Sequence, residues 1–68
     1  MSNEMKEWLW DTFAEVVLEA RVIDKVLQII PQESFYAIVH GVKDGIHVKY
    51  YVWYDDDDGY WKYERSEE

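Results

Sequence analysis

The run Asp55-Asp56-Asp57-Asp58-Gly59 is the first place to look for chemistry, because oxygen ligands closely spaced around a glycine can hold calcium. An EF-hand loop places glycine sixth and needs an oxygen ligand at positions one and twelve. With Gly59 sixth, position one is Tyr54 and position twelve is Arg65, so the match fails. The run reads instead as a solvated turn that attracts cations loosely. His40 and His47 are the only histidines. Two imidazoles without a third ligand do not complete a zinc site, and as general bases they would need a cleft and an orienting partner. There is no cysteine, and no glycine-rich phosphate loop. No metal, no cofactor and no enzymatic activity are expected.

A different kind of chemistry is carried by Glu4, Glu7, Asp11, Glu15 and Glu19. At the helical spacing of 100° per residue they fall within about 120° of one another. Glu7, Asp11, Glu15 and Glu19 are successive i, i+4 neighbours, and each such like-charge pair costs roughly 0.2–0.5 kcal/mol. The plain reading is a solvated acidic face. The functional reading is a row of carboxylates that imitates a phosphate backbone.

The elements that must position these residues follow from the periodicity. Residues 3 to 30 read as a helix, capped by Ser2 or Asn3 and stopped by Pro31. Met5, Leu9, Phe13, Val16, Ala20, Ile23 and Leu27 form its core stripe. The apolar period then changes from 3.6 to 2 over residues 34–42 and 46–54. Asp44-Gly45 is a two-residue hairpin turn, which sets Lys43 opposite Ile46, Gly41 opposite Val48, Val39 opposite Tyr50 and Ala37 opposite Val52. A third strand over 60–65 follows the aspartate turn, with Asp55 facing Tyr60, Tyr54 facing Trp61 and Val52 facing Tyr63. The expected architecture is α+β: one N-terminal helix packed on a three-stranded antiparallel meander, α-β-β-β, in a single domain of residues 1–68. Phe35, Ala37, Val39, Ile46, Val48, Tyr50, Val52, Tyr54, Trp61 and Tyr63 are expected on the covered face.

The other sheet face would carry Tyr36, Ile38, His40, Val42, His47, Lys49, Tyr51, Trp53, Tyr60 and Lys62. In a simple meander this face is polar; here it is largely apolar, and such patches mark interfaces. Leu18, Val22, Val26 and Ile29 leave the second half of the expected helix apolar nearly all round. Strand 34–42, an edge in this order, carries no proline and no formal charge between Phe35 and Val42 apart from any on His40, although natural edges are guarded by such residues. Tyr36, Ile38, Leu18, Val22 and Ile29 are therefore the candidates for self-association, and a homodimer is expected.

Composition limits the partners. The 68 residues carry 15 acidic and 7 basic side chains, a formal net charge of −8, with 18% aromatic residues. Direct binding to nucleic acid or to an anionic membrane needs a basic face, so neither is expected, even though an aromatic sheet can stack bases. No apolar leader stands at the N-terminus, and the longest apolar run is too short to span a bilayer; a cytoplasmic location, in the producing or infected cell, is expected. The favoured partner is a basic protein that itself handles DNA or RNA. Glu7, Asp11, Glu15, Glu19 and Asp55 to Asp58 would supply the charge, and Tyr51, Trp53 and Tyr60 the anchors. In size and composition the chain resembles the small acidic proteins with which phages and mobile elements block host defence nucleases, anti-CRISPR proteins among them. That resemblance implies an inhibitor acting as a nucleic-acid mimic. A structural or regulatory homodimer, and an antitoxin or immunity protein covering a basic toxin site, are the alternatives.

Overall fold

A computed structural model describes the backbone of residues 3–33 and 35–66, and their side chains from Trp10 onward. The chain runs α1 (Asn3–Glu19), β1 (Lys25–Glu33), β2 (Tyr36–Lys43), β3 (Ile46–Asp55) and β4 (Tyr60–Arg65). The four strands form one antiparallel sheet in the order β1-β2-β3-β4. The fold is α+β, as expected, but with four strands: α-β-β-β-β.

The difference arises at Arg21. The helix expected to reach residue 30 ends at Glu19, because Arg21 adopts a left-handed conformation with φ of 62°. The Val22 amide donates to the Val17 carbonyl at 3.2 Å and the Arg21 amide to the Leu18 carbonyl at 3.1 Å. This pair of bonds is the Schellman C-cap, usually built on glycine. Arginine fills the position at a steric cost of roughly 1–2 kcal/mol. The apolar run that follows, Val26 to Ile30, then pairs as a strand, which suits its β-branched side chains.

Strand β1 is the edge, and β2 is interior, which corrects the expectation for residues 34–42; Ser34 lies outside the described residues. The edge is guarded as natural edges are. Pro31 stands in β1, and the β1–β2 register shifts between Val26 and Gln28 and between Pro31 and Glu33. Both hairpin registers expected from the turns are present: Lys43↔Ile46, Gly41↔Val48, Val39↔Tyr50 and Ala37↔Val52, then Tyr54↔Trp61, Val52↔Tyr63 and Asp55↔Tyr60. Asp44 and Gly45 both have positive φ, 55° and 80°, as a tight two-residue hairpin turn needs.

Helix α1 crosses one face of the sheet. The core is Phe13, Val17, Ile23, Ile29, Ala37, Val39, Val48 and Val52. Phe13 meets the Trp61 ring edge-on, with centroids 5.2 Å apart. A helix of 17 residues is about 25 Å long and leaves the corners of the sheet open. Phe35, Ile46 and Tyr63, expected in the core, are exposed for that reason, Ile46 at 62%. Leu27, expected on the helical core stripe, sits in the β1 irregularity and is 50% exposed. The side chains of Met5 and Leu9 lie outside the described residues.

A short corner ties helix, edge strand and hairpin together. The Asp24 amide donates to the Val42 carbonyl at 2.7 Å. The Asp24 carboxylate accepts from the Asp44 amide at 2.9 Å and from Lys43 at 3.4 Å. Ile23 beside it packs directly over Gly41. A Cβ on Gly41 would lie 2.5 Å from Ile23 Cγ2 and 2.6 Å from the Lys25 carbonyl oxygen. Among the described residues no helix is long and apolar enough to cross a membrane.

Two substitutions should move stability in opposite directions in urea unfolding. Gly41→Ala must push apart Ile23 and a backbone carbonyl and should cost about 2–3 kcal/mol. Arg21→Gly relieves the left-handed strain and should gain about 1 kcal/mol. A neutral Gly41→Ala would contradict the seating of Ile23.

Candidate partner-binding surface

Among the described residues, the one helix packs on a single face of the sheet, and no second layer lies over the other. Cross-strand pairing places Tyr36 beside Trp53, Ile38 beside Tyr51, His40 beside Lys49 and Val42 beside His47. It also places Tyr51 beside Glu64, Trp53 beside Lys62 and Asp55 beside Tyr60. The expected open-face set is thus assembled. Strand β1 extends it with Lys25, Gln28, Ile30 and Glu33, which pair with Val42, His40, Ile38 and Tyr36. These four were not foreseen on this face, because residues 25–30 read as helix and Glu33 as part of the loop after it. The signal that could have found β1 was the missing guard on strand 34–42: an unguarded strand is an interior one.

At one end of this face lies a groove of about 790 Å³, lined by Glu33, Phe35, Tyr36, Tyr51, Trp53, Tyr54, Asp56 and Glu64. Its lining combines five aromatic rings and three carboxylates. The Tyr36 and Tyr51 rings are 6.3 Å apart and inclined by 35°. Lys49 lies over the Tyr51 ring at 6.0 Å from its centroid, and Lys62 over the Tyr60 ring at 5.7 Å. Glu33 reaches the groove only because β1 pairs it with Tyr36.

The four-aspartate turn beside the groove is built on Asp55. One carboxylate oxygen of Asp55 accepts from the Asp57 amide at 2.9 Å and the Asp58 amide at 3.2 Å. The other meets Lys62 at 2.9 Å, and Lys62 also meets Asp58 at 2.6 Å. Gly59, at φ of 76°, closes the loop with its amide donating to the Asp55 carbonyl at 2.7 Å. The Lys62 bond, then the Asp58 amide, hold the Asp55 carboxyl below the ordinary aspartate range, against an opposing burial effect. Bonds to Asp58 and Asp55 raise the Lys62 ammonium well above its usual value. Asp56 and Asp57 take no part in these ion pairs. Among the described residues no group of three or more His, Asp or Glu is placed to hold a metal ion.

His40 and His47 stack on the open face with centroids 5.3 Å apart and Nδ1 to Nε2 at 3.4 Å. Partial burial, then the neighbouring His47 and Lys49 charges, lower the His40 pKa.

The carboxylate row does not join this face. Asp11, Glu15 and Glu19 are exposed on α1, which packs on the opposite side of the sheet; the side chains of Glu4 and Glu7 lie outside the described residues. At 1.5 Å rise per residue the row places one charge per ~6 Å of helix axis, against about 3.4 Å of duplex axis per phosphate of one DNA strand. Leu18 is exposed on the same helix. Of the other self-association candidates, Tyr36 and Ile38 lie on the open face, whereas two are corrected. Ile29 is buried because β1 pairs it with Val39 over the core, and Val22 packs against the core after the helix cap. Val26, read together with Leu18, Val22 and Ile29 on the outer side of a longer helix, packs there too.

Comparison with protein-family models, curated proteins and solved structures finds no match to this chain.

The aspartate turn should loosen in acid. A carboxyl whose folded pKa is depressed contributes stability that is complete above its ordinary pKa, about 4, and is lost as pH falls through the lower folded value. Asp24, held low chiefly by the Asp44 amide, behaves likewise. The Asp57 and Asp58 amide resonances, followed by NMR from about pH 5 to about pH 2, should shift at a midpoint below the ordinary value. Asp55→Asn should remove that transition; a midpoint at the ordinary value would contradict the clamp.

Proposed function

We propose that this chain is a small acidic protein-binding inhibitor that blocks a basic, nucleic-acid-handling protein. One observation carries the reading: an aromatic sheet face that no second layer of the described residues covers, edged by carboxylates, in a protein of net charge −8. Tyr60 is exposed and Tyr36, Tyr51 and Trp53 are half-buried, and aromatic surface of this kind supplies affinity when a partner desolvates it. Like charge spread over the rest of the molecule supplies speed and orientation towards a basic site. The aromatic face, with Tyr51, Trp53 and Tyr60, is the contact. The row Asp11, Glu15 and Glu19 on the far side acts through the field, not by touch. In this reading the protein occupies the surface its target uses for phosphates, as a mimic in charge. Blocking a defence nuclease, as anti-CRISPR proteins do, is one setting for such an inhibitor; covering a toxin, as an antitoxin or immunity protein does, is another.

A homodimer is the second reading, favoured by the same face. Two copies joined through their open sheets would bury Tyr36 and Ile38 and turn both carboxylate rows outward. Light scattering at micromolar concentration separates the two, since a monomer leaves the face free for a different protein.

The test is capture with tagged protein from nuclease-treated lysate of the native host, followed by kinetics on the captured species. One dominant nucleic-acid-handling protein should be retained and released by rising salt. Trp53→Ala should abolish retention. Asp11→Lys with Glu15→Lys should slow association by about tenfold and flatten its salt dependence, with little change in dissociation. Retention that ignores both salt and Trp53→Ala would refute the reading.

A further inference from the structure

We propose that the groove at the end of the open face is a receptor for an arginine side chain presented by a basic polypeptide. This rests on the open face being the contact surface, and it specifies what that surface recognises. Three observations lead to it. First, the groove is concave and its walls are rings: Tyr36, Tyr51 and Trp53 come from adjacent positions of β2 and β3. A guanidinium is planar, weakly hydrated and attracted to ring faces, most strongly to tryptophan. Second, its charge is of one sign. Glu33, Asp56 and Glu64 line it and no cationic side chain does. Among the described residues none of these three is engaged in an ion pair. Two lysines stand near it: Lys62 is held in the aspartate turn by Asp55 and Asp58 at 2.9 and 2.6 Å, and Lys49 lies beside the lining ring of Tyr51 without lining the groove itself. Third, the rings of this face already attract cations from within the chain, as Lys49 over Tyr51 at 6.0 Å shows.

The chemistry selects arginine over lysine. Two carboxylates at the rim, Glu33 on β1 and Glu64 on β4, stand on opposite sides of the ring pair, next to Tyr36 and Tyr51. A forked, five-donor group can stack on a ring and still meet a carboxylate in its plane; an ammonium is a point charge with a tighter water shell. A neutral chain of the same shape keeps the stacking and loses the charge. Affinity for one residue is low, with Kd about 1 mM, and the site gains strength as part of a larger interface.

The experiment uses the intact chain and no target protein. The capped tripeptide acetyl-Gly-Arg-Gly-amide is titrated against labelled protein, with its lysine and citrulline counterparts, and read by NMR at the Trp53 indole and the Tyr36 and Tyr51 rings. The arginine peptide should give saturable shifts confined to the groove. The lysine peptide should bind about fivefold more weakly and the citrulline peptide should not saturate. Glu33→Gln with Glu64→Gln, isosteric and exposed, should weaken arginine binding about tenfold while the rest of the amide spectrum stays in place. Equal shifts from all three peptides, shifts confined to the helix around Asp11 and Glu15, or binding indifferent to Glu33→Gln and Glu64→Gln would each overturn the proposal. Because no target is present, a negative result removes arginine recognition and leaves the inhibitor reading to be judged by capture. Saturable peptide binding beside failed capture would do the reverse.

Discussion

The contact between Ile23 and Gly41 is the constraint on which the architecture turns. Only a residue without Cβ allows Ile23 and the Lys25 carbonyl to approach this closely, within 2.5 and 2.6 Å of where a Cβ would stand. That approach seats the first residues after the helix directly on β2. Asp24 then locks the corner, bonding to Val42, Lys43 and Asp44 at the far hairpin. With the corner fixed, residues 25–33 lie along β2 as an edge strand. The β1–β2 pairing in turn brings Glu33 beside Tyr36. A feature of the groove is therefore set by a packing contact at the opposite end of β2.

The second constraint is arithmetic: one helix and two sheet faces. Helix α1 covers Ala37, Val39, Val48 and Val52, and among the described residues no second layer lies over Tyr36, Tyr51, Trp53 and Tyr60, the first three of which are half-buried among their neighbours. A face of this kind invites non-specific association unless the molecule repels itself. The charge of −8 provides that repulsion towards copies and towards other acidic partners, and attraction towards basic ones. The carboxylate row on α1 and the rings on the sheet look away from each other, so a single flat partner touches one of them. The denser chemistry is on the sheet.

Much of this was legible in the residues, and the parts that were not have physical causes. The Asp44-Gly45 turn demands positive φ and so fixes its own register. The turn from Asp55 to Tyr60 behaves as read, with Gly59 at its left-handed position. The helix was legible up to Glu19. Its end was not, because the left-handed cap falls on Arg21 where sequence signals lead one to look for glycine. Past that point Ile23, Val26 and Ile30 fit a helical stripe and a strand about equally well; tertiary pairing decides. Pro31 was read as a helix stop and is in fact an edge-strand guard. The rings of the candidate site were visible from alternation in β2 and β3. The groove was not, since it needs Glu33 from a strand that local periodicity conceals.

We propose that this protein occupies the site its target uses for nucleic acid, and competition tests that most directly. A fluorescent oligonucleotide bound to the captured target is titrated with the intact chain and followed by anisotropy. The account predicts full displacement to the free-oligonucleotide value, with an apparent affinity for the chain that weakens in proportion to added oligonucleotide. A stable ternary complex, in which anisotropy rises or stays level while the chain binds, would contradict it.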